Sequence, residues 1–406
     1  MAATDIFWVG GAAAVAQVNN VTVASVAGGD DVLTITLSDD AGNTHDVTST
    51  NPASVSAGVA ALVAAAVAAK AAGNRPWTDV TATDADPAVT ITADTAGKRF
   101  YVATTVSGGA SLTDVATTAN SGPSDLLCAE NLSSEAVPAA DDLLNFPSGA
   151  SGSVLYGLTA TTAYAGIVVE KGCALSMGHA RQSLVVTLDH ADSGSEVRLA
   201  GTGQKFLYFA GGGDPIYIDQ SAGDTSGLPG TVIETAGAVD YDVYVNIGSG
   251  QTVGFAMTES QVMKIKTLTL AGGGKAVFGP GVTGDPDIEV VAGNLETYCG
   301  VGTVAFNGTT WTHYEGTLTQ ADMKAGKSYV LSEDLAAGTV LNLYSPAWLI
   351  MGPRAGAITK IDVHGKNWCI YDLLGKITEY EMNQCSPADG RLYGPPNRQW
   401  TQATIS

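Results

Sequence analysis

The sequence predicts a mainly β fold, in which a parallel β-helix (β-solenoid) is preceded by a small α+β module. Across residues 232–314, short apolar runs return at short intervals between glycine-rich corners, and no helix-length apolar period interrupts them. Within each run, Val, Ile, Leu and Phe alternate with Thr, Tyr and small polar residues, which is the period-two pattern of strands. The corners rarely contain Asn-Gly or Asp-Gly, so tight hairpins between successive strands are not expected. A coiled chain, in which each strand lies on the strand before it, explains the pattern. A β-sandwich is the alternative.

The composition favours extended sheet with many turns. The 406 residues are 45% hydrophobic but only 7% aromatic and 15% charged, and they include 49 glycines. This abundance of small and β-branched residues is typical of strands and corners and not of a helical enzyme. The length is sufficient for two or three domains with a large core.

The charge balance indicates which partners to exclude. Acidic residues outnumber basic ones by 40 to 19, which gives a formal charge of −21. Such a surface repels nucleic acid and anionic membranes, so we expect neither as a partner. The first residues lack the basic start and apolar core of a signal peptide, and no stretch has the length of a membrane span. We therefore expect no standard secretion.

Five cysteines are scattered along the chain without metal-ligand spacing. An odd and sparse set predicts free thiols made in a reducing cytoplasm and not a disulfide framework. They are Cys128, Cys173, Cys299, Cys369 and Cys385.

Residues 1–122 are predicted to form the α+β module, with three strands, one helix and three further strands. The strand candidates are residues 21–26, 32–37, 45–49, 77–83, 88–93 and 99–106. The helix is expected at about residues 52–73, because Pro52 suits a first turn and Ser54 or Ser56 can cap it. Its predicted apolar face consists of Val55, Val59, Leu62, Val63 and Val67. Residues 107–123 show no apolar period and are predicted to be a joint between modules.

Residues 123–366 are predicted to form the β-helix, and residues 367–406 a C-terminal cap or an intersubunit contact. The last segment differs in composition, since tyrosine, tryptophan and proline are concentrated in it. A solenoid needs its open end covered, and Tyr, Trp and Arg are enriched at interface cores. The candidate contact residues are Trp368, Arg391, Tyr393, Arg398 and Trp400. Packing of these residues within their own chain is the alternative.

Three passages resemble a group of tailed-bacteriophage virion proteins. They are residues 6–23 (IFWVGGAAAVAQVNNVTV), residues 90–106 (TITADTAGKRFYVATTV) and residues 130–146 (ENLSSEAVPAADDLLNF), which precede LYGL. In that group a small α+β module is inserted ahead of a right-handed β-helix. The group often has a tryptophan and paired glycines after the asparagine that corresponds to Asn131, whereas this chain has Leu132, Ser133 and Ser134.

No catalytic motif and no cofactor site is evident, so we expect no enzyme and no cofactor. Walker, GxSxG, HExxH and CxxC patterns are absent. Phage β-helices that cleave polysaccharide use two carboxylates about 5 to 10 Å apart, and the acids that could converge are Asp214, Asp219, Asp224, Asp240 and Asp242. The five histidines have no ligand spacing, and the acidic corner at residues 284–287 offers oxygens for calcium without a complete loop signature.

The resemblance and the architecture together predict a structural component of a bacteriophage virion, assembled in the host cytoplasm. The favoured role is a capsid decoration or cement protein, with the major capsid protein and copies of itself as partners. A homotrimer is expected, because an isolated three-sided coil of small residues buries only a thin core and bundling three coils buries more apolar area. The alternative is a tail spike or fibre that binds, with or without cleaving, a host-surface glycan. A bacterial surface adhesin is a weaker third possibility.

Overall fold

The computed structural model describes residues 4–39, 43–157, 162–178, 183–188, 196–211, 215–220, 230–237, 239–336, 338–395 and 399–402. Within them, the chain forms a small module of sheets with one helix and a parallel β-solenoid, as the sequence predicts. The β-sandwich alternative is wrong, because the strands of the long sheets pair in parallel with those of neighbouring coils.

The N-terminal module contains one helix and seven antiparallel strands in two sheets. The first strands of the chain are β1 (Asp5–Phe7), β2 (Val18–Ser25), β3 (Val32–Ser38), β4 (Thr44–Thr50), β5 (Val80–Ala85), β6 (Ala88–Ala93), β7 (Tyr101–Ser107) and β8 (Ser111–Thr118). One sheet has the order β5-β6-β2-β8 and the other β4-β3-β7. Their apolar faces and the helix enclose a core that is separate from that of the solenoid.

The single helix, α1 (Val55–Ala71), lies where the sequence predicts it, and Ser54 is its N-cap. The Ser54 hydroxyl accepts the amide proton of Ala57 at 3.2 Å. Val59 and Leu62 are buried as expected, but Val67 is 57% exposed. The buried face is centred on small residues, with Gly58, Val59, Leu62, Ala66 and Ala69 turned inward. These small side chains let the helix approach the sheet closely.

Two details of the module differ from the prediction. Residues 111–118, expected within a joint, form edge strand β8, which pairs with β2. Because these residues are mostly Ser and Thr, they show no alternation of apolar and polar side chains. Leu112 nevertheless packs against the module core, and the Asp114 carboxylate accepts the Asn19 amide at 3.0 Å. The strand expected from residue 77 instead begins with a 3-10 turn at Trp77–Asp79.

The solenoid alternates short strands between two long parallel sheets, where three sides were expected. Its strands are β9 (Leu143–Phe146), β10 (Ser153–Val154), β11 (Ala163–Tyr164), β12 (Gly166–Val169), β13 (Ser176–Met177), β14 (Leu184–Leu188), β15 (Glu196–Ala200), β16 (Lys205–Gly211), β17 (Ile216–Gln220), β18 (Thr231–Thr235), β19 (Tyr241–Ile247), β20 (Thr252–Phe255), β21 (Met263–Gly272), β22 (Lys275–Phe278), β23 (Val282–Thr283), β24 (Asp287–Val290), β25 (Asn294–Tyr298), β26 (Val301–Phe306), β27 (Thr310–Glu315), β28 (Leu318–Met323), β29 (Lys327–Val330), β30 (Val340–Tyr344), β31 (Trp348–Met351), β32 (Ile358–His364), β33 (Cys369–Tyr371), β34 (Ile377–Asn383), β35 (Arg391–Tyr393) and β36 (Gln399–Gln402).

The first sheet has the order β1-β9-β12-β15-β17-β19-β21-β24-β26-β28-β30-β32-β34-β36, and the second β10-β13-β16-β18-β20-β22-β25-β27-β29-β31-β33-β35. β11 and β14 extend the second sheet, and β23 pairs with β21. Equivalent positions stack from coil to coil, so that buried side chains form columns. One column of the first sheet runs through Leu144, Ile167, Val197, Ile216, Val243, Leu268, Ile288, Val304, Ala321, Leu341, Ile361 and Tyr380.

The first and the last strand of the described residues both belong to the solenoid. Strand β1, which the sequence places within the N-terminal module, pairs in parallel with β9 and is the first strand of the first sheet. The module is therefore inserted between two strands of the same sheet. Strands β33 to β36 continue both sheets in register, so these four strands belong to the last coils of the solenoid.

The module is attached to the solenoid through buried polar groups. Asn131 is fully buried, accepts the Ala12 amide at 2.9 Å and donates to the carbonyls of Gly122 and Asp125. The Asp125 carboxylate, also fully buried, accepts hydrogen bonds from the Arg99 guanidinium at 2.7 Å and the Asn120 amide at 2.7 Å. Since Arg99 belongs to the module and Asp125 leads into the solenoid, this ion pair joins the two units.

We expect Arg99→Met to lower the free energy of unfolding by about 2 kcal/mol, because it leaves the buried Asp125 carboxylate without its cation. The loss is below that of a fully buried pair, since the Arg99 side chain is 19% exposed. Denaturant unfolding measures it. Lys98→Met is the matched control, because the Lys98–Asp79 pair is about one-third exposed at both ends and should contribute less than about 1 kcal/mol. Equal losses for the two variants would contradict the prediction.

Candidate functional site

The candidate contact residues do not share one environment. Trp368 is only 1% exposed and belongs to the solenoid core, so it is not available as a contact residue. Its ring packs directly under Gly390, where an added Cβ would lie 2.1 Å from a ring carbon. Arg391 is exposed on β35, and Tyr393 is 38% exposed two positions further on. Of the remaining two candidates, Arg398 lies outside the described residues, and Trp400 is described only as the backbone partner of Tyr380.

Aromatic rings form a ladder on the outer face of the second sheet in its last coils. The Lys327 ammonium lies over the Trp348 ring, 5.0 Å from its centroid, and Trp348 is tilted by 40° against Tyr371 at 6.2 Å. Tyr371 and Tyr393 are in register on β33 and β35 and stack 4.5 Å apart with 5° between their planes. Because stacked rings cover each other's faces, this ladder presents mainly ring edges to solvent.

A shallow groove of about 300 Å³ lies beside the ladder. Most of its lining is apolar or aromatic, and it consists of Lys327, Tyr329, Trp348, Ile350, Met351, Tyr371 and Leu373. A second, more polar groove of about 330 Å³ adjoins it across Trp348 and Tyr371 and reaches Arg391 and Asp389. The two share the ladder as their common wall.

The turn between β33 and β34 carries two exposed leucines. Leu373 and Leu374 are 67% and 63% exposed, the highest values among the exposed large apolar side chains of the described residues. The buried Asp372 carboxylate holds this dileucine turn (residues 372–375), since it accepts the amides of Lys376 and Ile377 at 2.7 and 2.9 Å and the Tyr380 hydroxyl at 2.9 Å. The leucines are therefore presented on a fixed backbone. We call the turn, the ladder and the apolar groove together the C-terminal patch.

The C-terminal patch lies in the part of the chain with the least negative charge. Residues 324–406 contain eight Lys or Arg and seven Asp or Glu, a formal charge of +1, so residues 1–323 carry −22. Partial burial, with the Cys369 thiol and the Tyr393 hydroxyl nearby, raises the pKa of Tyr371 above its ordinary value, at which the hydroxyl is already neutral at physiological pH. The patch thus combines apolar area with near-neutral charge, which suits contact with another macromolecule.

Each of the three described carboxylates considered for catalysis has a polar partner on a neighbouring strand or corner. Asp219 accepts the Asn246 amide at 3.3 Å, Asp240 pairs with Lys264 at 3.1 Å, and Asp242 accepts the Thr267 hydroxyl at 2.6 Å. Asp214 and Asp224 lie outside the described residues, as do His179 and His190.

Metal ligation finds no support in the described part of the chain, where no three His, Cys, Asp or Glu side chains are placed to hold a metal ion. At the acidic corner considered for calcium, the Asp287 carboxylate accepts the amide of Thr303 on the next strand of the sheet. The five cysteines are buried free thiols, as predicted.

Sequence reasoning missed Trp348, Leu373 and Leu374, although two signals point to them. Two adjacent leucines before a glycine in a polar corner are unusual unless they make a contact, and Ile350, Tyr371 and Tyr393 recur at the spacing of one coil. Within the described residues, no helix is long and apolar enough to cross a membrane. No protein-family model, no curated protein and no solved structure matches this chain.

Proposed function

We propose that this protein is a structural component of a tailed-bacteriophage particle, most specifically a decoration or cement protein that binds the assembled head. The observation that carries the proposal is the C-terminal patch, where exposed leucines and an aromatic groove occur together on a rigid solenoid. Contiguous exposed apolar surface of this kind marks sites of protein contact. The resemblance of most of the first 160 residues to virion proteins supports a contact within a particle.

The proposed mechanism is binding and not chemistry. Each copy or oligomer would bridge neighbouring major capsid subunits, and the same small binding energy repeated at many identical sites would oppose outward pressure from packaged DNA. The formal charge of −21 would keep the protein from binding that DNA. A homotrimer is part of this proposal, because bundled coils bury apolar surface that a single rod exposes.

Binding to a host-surface glycan, as in a tail spike or fibre, is the alternative function, because outward aromatic residues can stack on sugar rings. Sugar rings stack on open aromatic faces, whereas the faces of Tyr371 and Tyr393 are turned towards each other. The same holds for Tyr217 and Tyr244, which stack 5.0 Å apart on the first sheet, with Arg198 over the Tyr217 ring. The geometry of these ladders thus favours protein contact over glycan binding.

Counting copies per particle tests the proposal. A decoration protein is expected at a copy number comparable with that of the major capsid protein, which densitometry of gels of purified virions measures. A tail spike would be present in only a few copies per particle. A low copy number, or absence from purified virions, would refute the decoration role.

A further inference from the structure

The dileucine turn and the apolar groove lie next to each other on every copy, since Leu373 itself forms one wall of the groove. We propose that the protein self-associates through the C-terminal patch, with Leu374 of one copy seated in the groove of a second copy. In the proposed head protein, the patch would then join the copies of one oligomer, and the oligomer would bridge the capsid subunits; the contact itself rests on the patch and not on that role.

The groove and the turn match in size and chemistry. A volume of about 300 Å³ corresponds to roughly ten water molecules at about 30 Å³ each, which is room for one or two four-carbon side chains. Tyr329, Trp348, Ile350 and Met351 provide an apolar lining for them. Fixed by Asp372, the turn loses little conformational freedom on docking, so little of the contact energy is spent on ordering it.

The charge distribution permits a second copy as the occupant at this end. Two chains repel each other along residues 1–142 and 214–323, which carry −12 and −10. Residues 324–406, at +1, can meet their counterpart without that repulsion, and they carry the exposed leucines.

Because each copy carries one turn and one groove, a closed ring of copies leaves neither unused.

Sedimentation velocity of the full chain over a range of micromolar concentrations tests the proposal. The wild type is expected to sediment as an oligomer, and Leu374→Lys as a monomer, because a second ammonium beside Lys327 cannot enter this groove without a counter-charge. Val291→Lys is the matched control, since Val291 is 49% exposed and lies away from the patch, and it is expected to remain oligomeric. A monomeric wild type, or a Leu374→Lys variant that stays oligomeric, would overturn the proposal.

Cross-linking provides a second readout that does not depend on a charged substitution. Leu374→Cys and Ile350→Cys are prepared as separate proteins and mixed under oxidising conditions; the native cysteines are all buried. A covalent heterodimer between the two variants is expected, since each new thiol would face the other across the contact. The pairing of Val291→Cys with Ile350→Cys should give none. Absence of the Leu374–Ile350 cross-link would contradict the proposed seating.

Discussion

Lys205→Met is expected to raise the free energy of unfolding by about 2 kcal/mol at pH 7. Lys205 is fully buried, because the register of β16 places it between Met177 and Thr231 in an inward column of the second sheet. Burial lowers the pKa of its ammonium from 10.5 to about 8. Forcing the charged form into the core therefore costs about 3 kcal/mol at pH 7, at about 1.4 kcal/mol per pKa unit. Methionine removes this cost but leaves the Gly203 carbonyl without the Lys205 Nζ donor, at about 1 kcal/mol.

The pH dependence of this stability difference shows whether burial of the Lys205 ammonium is its cause. Between pH 8 and 10.5 the unfolded chain holds a proton on Lys205 that the folded chain has released, so this residue makes the wild type more stable as the pH rises. The advantage of Lys205→Met should therefore shrink by about 3 kcal/mol across this interval. Urea unfolding of both proteins at several pH values measures the difference between their free energies of unfolding. The other titrating groups are the same in both proteins, so their contributions cancel. Lys266→Met, on the exposed side of β21, should change stability by less than about 0.5 kcal/mol. An advantage independent of pH would contradict the burial argument.

The coiled architecture could be predicted from the sequence because strand periodicity is a local property. Alternation within each run identifies which side chains turn inward, and the inward column from Leu144 to Tyr380 consists almost entirely of the residues that this alternation selects. The number of sides of the coil could not be predicted, since it depends on how far the chain bends at each corner. Strand β8 was not predicted for another reason. It is an edge strand with one half-buried leucine, and its sequence therefore has almost no hydrophobic pattern.

The candidate site was predicted less well, because contacts between coils decide which aromatic residues are exposed. Trp368 and Tyr393 look equivalent in the sequence, yet Trp368 faces the core beneath Gly390 while Tyr393 ends an outer ladder. The position of the chain ends was also not evident from local pattern: β1 joins the solenoid across an insertion that ends at β9. The difference in charge between the last coils and the rest of the chain, in contrast, follows from counting charged residues in the sequence, once the coil boundaries are known.

Acid is expected to destabilise the protein through His313, by about 3 kcal/mol between pH 6.5 and pH 4. His313 is fully buried in an inward column between Thr297 and Val330, and burial lowers its pKa from 6.5 to about 4. Its Nε2 lies 3.0 Å from the Gly316 carbonyl oxygen and donates to it, so the neutral ring accepts the Thr297 hydroxyl at Nδ1. A second proton on this ring would reverse the Thr297 hydrogen bond, since Nδ1–H would then donate to the hydroxyl oxygen, and would introduce a charge into the core.

The direction of this change in stability with pH follows from the lowered pKa of His313. The stabilising contribution is fully present above pH 6.5, the pKa in the unfolded chain, and is lost as the pH falls towards 4, because only the unfolded chain binds the proton in that interval. His313→Gln keeps an amide donor for Gly316 and cannot be protonated, so it should cost about 1 kcal/mol at pH 7 and become the more stable protein at pH 4.

Unfolding by urea from pH 7 to pH 4 measures this crossover. His364→Gln is the matched control, since His364 stacks on Tyr344 on the outer face of the first sheet and its replacement leaves His313 in place. Parallel stability curves for the wild type and His313→Gln over this range would show that the buried imidazole does not limit acid stability. A crossover for His313→Gln alone would identify it as the acid-sensitive group of the solenoid core.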